Sequence, residues 1–151
     1  MSRVLFAVLL AVSTVFAACG GKDQPGHTPP DRKPDQTYTV RGEVTMLPVA
    51  GDKRSEFKVK HEAIDDFKNK DGKVVGMSAM TMEFPPAKGV DVSALKRGDK
   101  VSVTFSVWWG DTPPWLAVKV VKLADGTELV YGPAKPPAGE PGSAPKEGGT
   151  P

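Results

Sequence analysis

Apolar and polar positions alternate in short runs between residues 38 and 131, and no segment sustains a helical period. The alternation predicts strands near residues 39–47, 56–61, 80–84, 100–108 and 116–123, with a short sixth near 128–131. Turn-forming groups separate these runs: Ala50-Gly51-Asp52, Asp71-Gly72, Arg97-Gly98-Asp99, Thr112-Pro113-Pro114 and Asp125-Gly126. Val101, Val103 and Phe105 form one expected inward row, Leu116, Val118 and Val120 a second, and Met46 is assigned to the same core. Five short strands with one long central connection suit a small closed barrel of the OB type. The expected fold class is therefore all-β, a small five-stranded OB-like barrel with disordered N- and C-terminal tails.

The ends of the chain read differently. Residues 1–18 carry one cation, Arg3, ahead of an apolar stretch too short for an ordinary membrane span, as in a signal peptide. The stretch closes on Phe16-Ala17-Ala18-Cys19-Gly20, which resembles a bacterial lipoprotein cleavage box and makes Cys19 the expected lipidation site. Residues 19–37 are rich in Pro, Gly and charge and read as a flexible tether, and residues 132–151 hold six prolines and five glycines, too few apolar groups to pack. The expected organisation is a lipoprotein signal peptide over 1–18, a tether over 19–37, a β-barrel domain over 38–131 and a disordered tail over 132–151. Gly20 after the cysteine, with no aspartate there, resembles outer-membrane sorting. The expected location is periplasmic, with the lipid anchor as the sole membrane contact.

Charge and cysteine usage narrow the function. Removing residues 1–18 takes away Arg3, one of 20 basic residues set against 18 acidic ones, so the net charge becomes +1. That gives no electrostatic case for nucleic acid. Lys58, Lys60, Lys68, Lys70 and Lys73 cluster locally, as a solvated face or a docking surface for an acidic partner. With Cys19 lipidated, no thiol remains for a disulfide or for a blue-copper site, which needs a cysteine ligand. Scattered carboxylates and the lack of a nucleophile and base pair argue against an enzyme.

Met77, Met80 and Met82 fall within six residues. On a strand, Met80 and Met82 share a face while Thr81 and Glu83 point away. Thioether sulfur is a soft ligand suited to Cu(I) or Ag(I), but methionine is also a common core filler, and the alternation alone leaves both readings open. His61 raises the metal reading. It ends the run Phe57-Lys58-Val59-Lys60-His61, just before the connection into the methionine strand. One imidazole with two or three thioethers on adjoining strands makes a sensible trigonal or tetrahedral Cu(I) site.

The pair His61-Glu62, the run Ala79-Met80-Thr81-Met82-Glu83-Phe84 and the later Leu95-Lys96-Arg97-Gly98-Asp99-Lys100-Val101 resemble the CusF-type periplasmic copper/silver-binding proteins, over roughly residues 38–123. The resemblance implies an OB topology, Cu(I) or Ag(I) as the bound ion, and His61, Met80 and Met82 as its ligands. Two departures stand out. Met77 occupies the place where the family carries a tryptophan cap, so it is a further candidate ligand or a loop-packing residue. The connection over residues 65–76 is also long, with an Asp71-Gly72 hairpin turn that closes over the site or hangs clear of it. Trp108, Trp109 and Trp115 are expected at the barrel rim, with a cation–π cap as their alternative role. The leading expectation is a monomeric, lipid-anchored Cu(I)/Ag(I)-binding protein that buffers the ion or transfers it to a partner such as an efflux system. Copper delivery to the assembly of an oxidase or another copper enzyme is the alternative. A metal-free OB-like lipoprotein that binds an envelope component is the third reading.

Overall fold

The computed structural model describes residues 26–49, 52 and 56–135; the expected signal peptide, Cys19 and residues 136–151 lie outside them. Its strands are β1 (Gln36–Met46), β2 (Lys58–His61), β3 (Met80–Glu83), β4 (Lys100–Val107) and β5 (Trp115–Lys122), in the spatial order β3-β2-β1-β4-β5. All four neighbouring pairs are antiparallel. The first strand is long because it serves two partners: Gln36 to Glu43 pair with β4, whereas Gly42 to Met46 pair with β2. Sharing one strand in this staggered way curls the sheet. The two edges meet just beyond β3, where Pro86 pairs in parallel with Ala117 of β5. Ala117 N–H donates to Pro85 O at 2.9 Å and Ala87 N–H to Ala117 O at 2.8 Å. The Trp115 indole N–H donates to Glu83 O at 2.9 Å across the same seam. The result is an all-β, OB-like barrel.

The expected row Val101, Val103 and Phe105 is fully buried, joined by Val44, Phe57, Val59 and Phe84. Phe84 and Phe105 meet edge to face at 5.2 Å, and Tyr38 lies 5.5 Å from Phe105. Two β-bulges change the other assignments. In β1 the register with β2 slips between Val44 and Met46, so the alternation that places Val40, Gly42 and Val44 inside is broken at Thr45. Met46 therefore faces outward with 41% of its surface exposed, contrary to its expected core position, and Leu47 packs on the core. In β5 the register with β4 slips at Thr104/Phe105, where Phe105 faces Ala117 and Thr104 faces Lys119. The row expected from Leu116, Val118 and Val120 splits accordingly. Ala117 and Val120 join the main core, while Leu116 and Val118 join a smaller cluster with Trp108 and Ala87.

The sixth strand expected near 128–131 does not form: this stretch has no ladder partner, and Val130 is 73% exposed. Instead, residues 130–135 lie as a strap along β2 and the entry to β3, with Ala79 N–H donating to Gly132 O at 2.8 Å. Residues 26–35, read from composition as tether, are likewise laid against the barrel. His27 N–H donates to Pro86 O, Lys88 N–H to His27 O, the Trp108 indole to Arg32 O at 3.0 Å, and the Arg32 guanidinium to Asp111 at 2.6 Å. Segments too poor in apolar groups to build a core still satisfy their backbone groups on one.

Gly42 lies at a tight point of the barrel wall. A Cβ there would meet Lys60 O and Val59 Cγ1 at 2.5 Å and His61 Cα at 2.9 Å, two of them backbone atoms. The Gly42→Ala variant is therefore expected to lose about 1–3 kcal/mol of stability, read from urea unfolding midpoints. An unchanged midpoint would show that the β1–β2 contact is looser than described.

Candidate metal centre

Antiparallel pairing of β2 with β3 places His61 opposite Met80 and Val59 opposite Met82. Because side chains alternate along a strand, His61, Met80 and Met82 all lie on one face. Directly opposed residues bring their Cβ atoms to about 4.5–5.5 Å, and the diagonal pair His61/Met82 is within reach of a long side chain. The three residues differ in depth. His61 is fully buried, Met82 is half-buried against the core, and Met80 is 50% exposed. The same row continues across the sheet from His61 to Gly42 and then to Val101. His61 thus stands opposite a residue without a side chain, where a Cβ would meet the backbone of β2.

The chemistry of His61 follows from its surroundings. Nδ1 lies 2.6 Å from the carbonyl oxygen of Glu62. A carbonyl only accepts, so Nδ1 carries the proton and Nε2 presents a lone pair. That Nε2 is buried and has no hydrogen-bond partner. The Phe84 ring meets the imidazole edge to face at 5.9 Å. Burial pushes the imidazole pKa below its ordinary 6.5, partly offset by the Glu62 carbonyl. A buried lone pair left unpaired costs about 1–3 kcal/mol. A soft cation would satisfy it, and a neutral imidazole is the form that binds metal. Among the described residues no group of three or more His, Cys, Asp and Glu side chains converges. The donors gathered here are one nitrogen and thioethers, a set that suits a soft monovalent ion better than zinc or calcium.

The long connection folds against the barrel. Ile64 and Met77 exchange backbone hydrogen bonds at 2.8 Å, and Lys68 pairs with Val74 across the turn that contains Gly72, whose φ of 77° suits glycine. Phe67 is buried against Tyr38 at 5.2 Å and stands edge-on to Trp109 at 6.2 Å. Met77 is half-buried against the core, three residues before Met80. Each tryptophan has contacts of its own. Trp108 belongs to the small cluster with Leu116, Trp109 faces Phe67, and Trp115 is tied to Glu83. Of the lysine cluster, Lys58 pairs with Glu56 and Glu83, and Lys60 lies 4.3 Å from the ring centroid of Tyr131. Sequence reasoning passed over the surroundings of His61, namely Gly42, Arg41, the Glu62 carboxylate and the strap. Only the dipeptide His61-Glu62 signalled any of them.

Fold and register define a small β-barrel that carries an imidazole and two thioether side chains on one face of two neighbouring strands. Residues 37–107 match the family described as Copper binding periplasmic protein CusF. The family is one of periplasmic metal-binding proteins that take Cu(I) or Ag(I). Comparisons with curated proteins and with solved structures gave no match.

The lowered imidazole pKa has a measurable sign. Between 6.5 and the folded-state value, the unfolded chain binds a proton at His61 that the folded chain does not, so stability is greatest above 6.5 and declines as pH falls. Asp35, Asp91 and Asp99 have pKa values below the ordinary 3.8, so their contributions are lost only in more acid solution. Metal-free protein is thus expected to lose stability as pH falls below 6.5, and His61→Asn is expected to flatten this slope. Equal slopes in parent and variant would remove His61 as its source.

Proposed function

We propose that the chain is a lipid-anchored periplasmic carrier that binds Cu(I) or Ag(I) through His61 Nε2 and the sulfurs of Met80 and Met82, then passes the ion to a partner such as an efflux system. The observation that carries this reading is the cross-strand pairing of His61 with Met80, with Met82 on the same face and an unpartnered, buried Nε2 between strand and core. Met77, half-buried nearby in sequence, is the candidate for a further thioether. Trp108, Trp109 and Trp115, with contacts of their own, are read here as packing residues. Neutral donors bind a soft ion without proton loss from sulfur, so exchange with donors on a partner proceeds one ligand at a time. The anchor assigned to Cys19 would hold the carrier at the membrane surface where an envelope transporter opens.

Two measurements test this. The Met80→Leu/Met82→Leu double variant is expected to fold, since a Met-to-Leu exchange conserves volume and costs under about 1.5 kcal/mol per site. It is expected to lose stoichiometric Cu(I) uptake in anaerobic competition with a chromogenic chelator. Competition equal to the parent's would refute the ligand set. Cys19→Ser is expected to move the protein from the membrane pellet to the soluble periplasmic fraction, and retention in the pellet would refute the anchor.

A further inference from the structure

The N–H and the carboxylate of Glu62 fix this residue against Arg41 and Val130. Its N–H donates to Arg41 O at 2.9 Å. Its carboxylate accepts from Arg41 Nε at 2.7 Å and from Arg41 Nη2 at 2.9 Å, and also from the Val130 N–H at 2.8 Å. The side chain is only 14% exposed. What remains is the carbonyl, and it receives His61 Nδ1–H. The orientation of this one peptide therefore decides which imidazole nitrogen carries the proton.

The strap reinforces the arrangement from outside. Beyond Val130, the Tyr131 ring covers Lys60 Nζ, Gly132 O accepts from Ala79 N–H, Ala134 N–H donates to Ser78 Oγ at 3.2 Å, and Lys135 N–H donates to Asp65 Oδ1 at 2.8 Å. Its contacts flank His61 at positions 60 and 62 and lead directly into Met80 at positions 78 and 79. None falls on the candidate ligands themselves. The family match ends at residue 107, so the strap lies outside the matched span.

We propose that Glu62 is a positioning residue for this metal site, and that residues 130–135 clamp it so that His61 is held in the Nδ1–H tautomer with Nε2 presented to the ion. The proposal rests on the copper reading above, but one arm of its test does not. Four bonds anchor Glu62, one through the 61–62 peptide and three through its carboxylate, and so restrict the rotation of the following peptide, whose carbonyl meets the ring. Freed of them, the peptide can turn, and the ring can reverse or exchange tautomers. Orienting groups behind a metal-bound histidine commonly contribute about 10–100-fold in metal affinity.

The experiment uses the full chain and three variants: Glu62→Ala, Glu62→Gln and Val130→Pro, the last deleting the strap's N–H donor to the carboxylate. Two-bond proton–nitrogen correlation spectra of the metal-free proteins report the His61 tautomer, and anaerobic chelator competition reports Cu(I) affinity. The parent is expected to show a single Nδ1–H tautomer. Glu62→Ala is expected to show mixed tautomers and at least a tenfold loss of affinity, Val130→Pro the same changes to a smaller degree, and Glu62→Gln a partial rescue through its remaining acceptor oxygen. An unchanged tautomer in both Glu62→Ala and Val130→Pro overturns the proposal, whether or not affinity falls. If Glu62→Ala does not fold, the tautomer of Val130→Pro decides the matter by itself. A parent that takes up no Cu(I) refutes the copper reading, while the tautomer arm still decides whether Glu62 and the strap set the ring.

Discussion

A neutral imidazole sealed inside a β-barrel wall, one nitrogen tied to a carbonyl and the other left without a partner, is the constraint around which this molecule is arranged. Such a group is costly to keep, because an apolar side chain of similar size would pack without an orphaned lone pair. The neighbouring architecture makes its position tenable. Gly42 withholds a side chain where the β2 backbone at Lys60 and His61 comes close, Phe84 offers an aromatic edge, and Glu62 supplies the carbonyl acceptor. A feature that lowers stability and is nonetheless held by several independent contacts is the expected mark of a functional site.

The barrel supplies rigidity to both donor strands. β2 and β3 are only four residues long, too short to hold a geometry by their own ladder. Their support comes from β1 on one side and from the seam at Pro86 and Ala117 on the other. The connection between them adds Ile64 and Phe67 to the core, so its length brings more packing to the end of the barrel beside the site rather than a free loop. The family match fits this division of labour, since the matched span runs from the second residue of β1 to the end of β4 and holds His61, Met77, Met80 and Met82.

Much of this was legible in the chain itself, for identifiable reasons. Alternation located all five strands, because a half-buried strand repeats every two residues and little else does. Met80 and Met82 on one face follow from that same period. What escaped were features that break the period without leaving a mark. The bulges fall at Thr45 and beside Val118, β-branched residues at home in any strand, with no glycine or proline to announce them, and so Met46, Leu116 and Val118 were assigned to the wrong side. The strap escaped for a different reason. Its bonds are mainly backbone groups meeting Ser78, Ala79, Asp65 and Glu62, and backbone bonding has no signature in composition. The pairing of His61 with Met80 lies between these cases: each residue was conspicuous, but only the antiparallel register sets them face to face.

The graded depth of the three donors gives the proposed ion a direction of travel. Met80 stands half in solvent, Met82 is half sheltered, and His61 is closed off entirely. In the proposed ligand set, an acceptor arriving from outside would meet the Met80 sulfur first and the closed-off nitrogen of His61 last. Departure would then be ordered from the rim inward, with loading in the reverse order. On that ladder of accessibility the innermost donor would be the latch that sets how long the cargo stays.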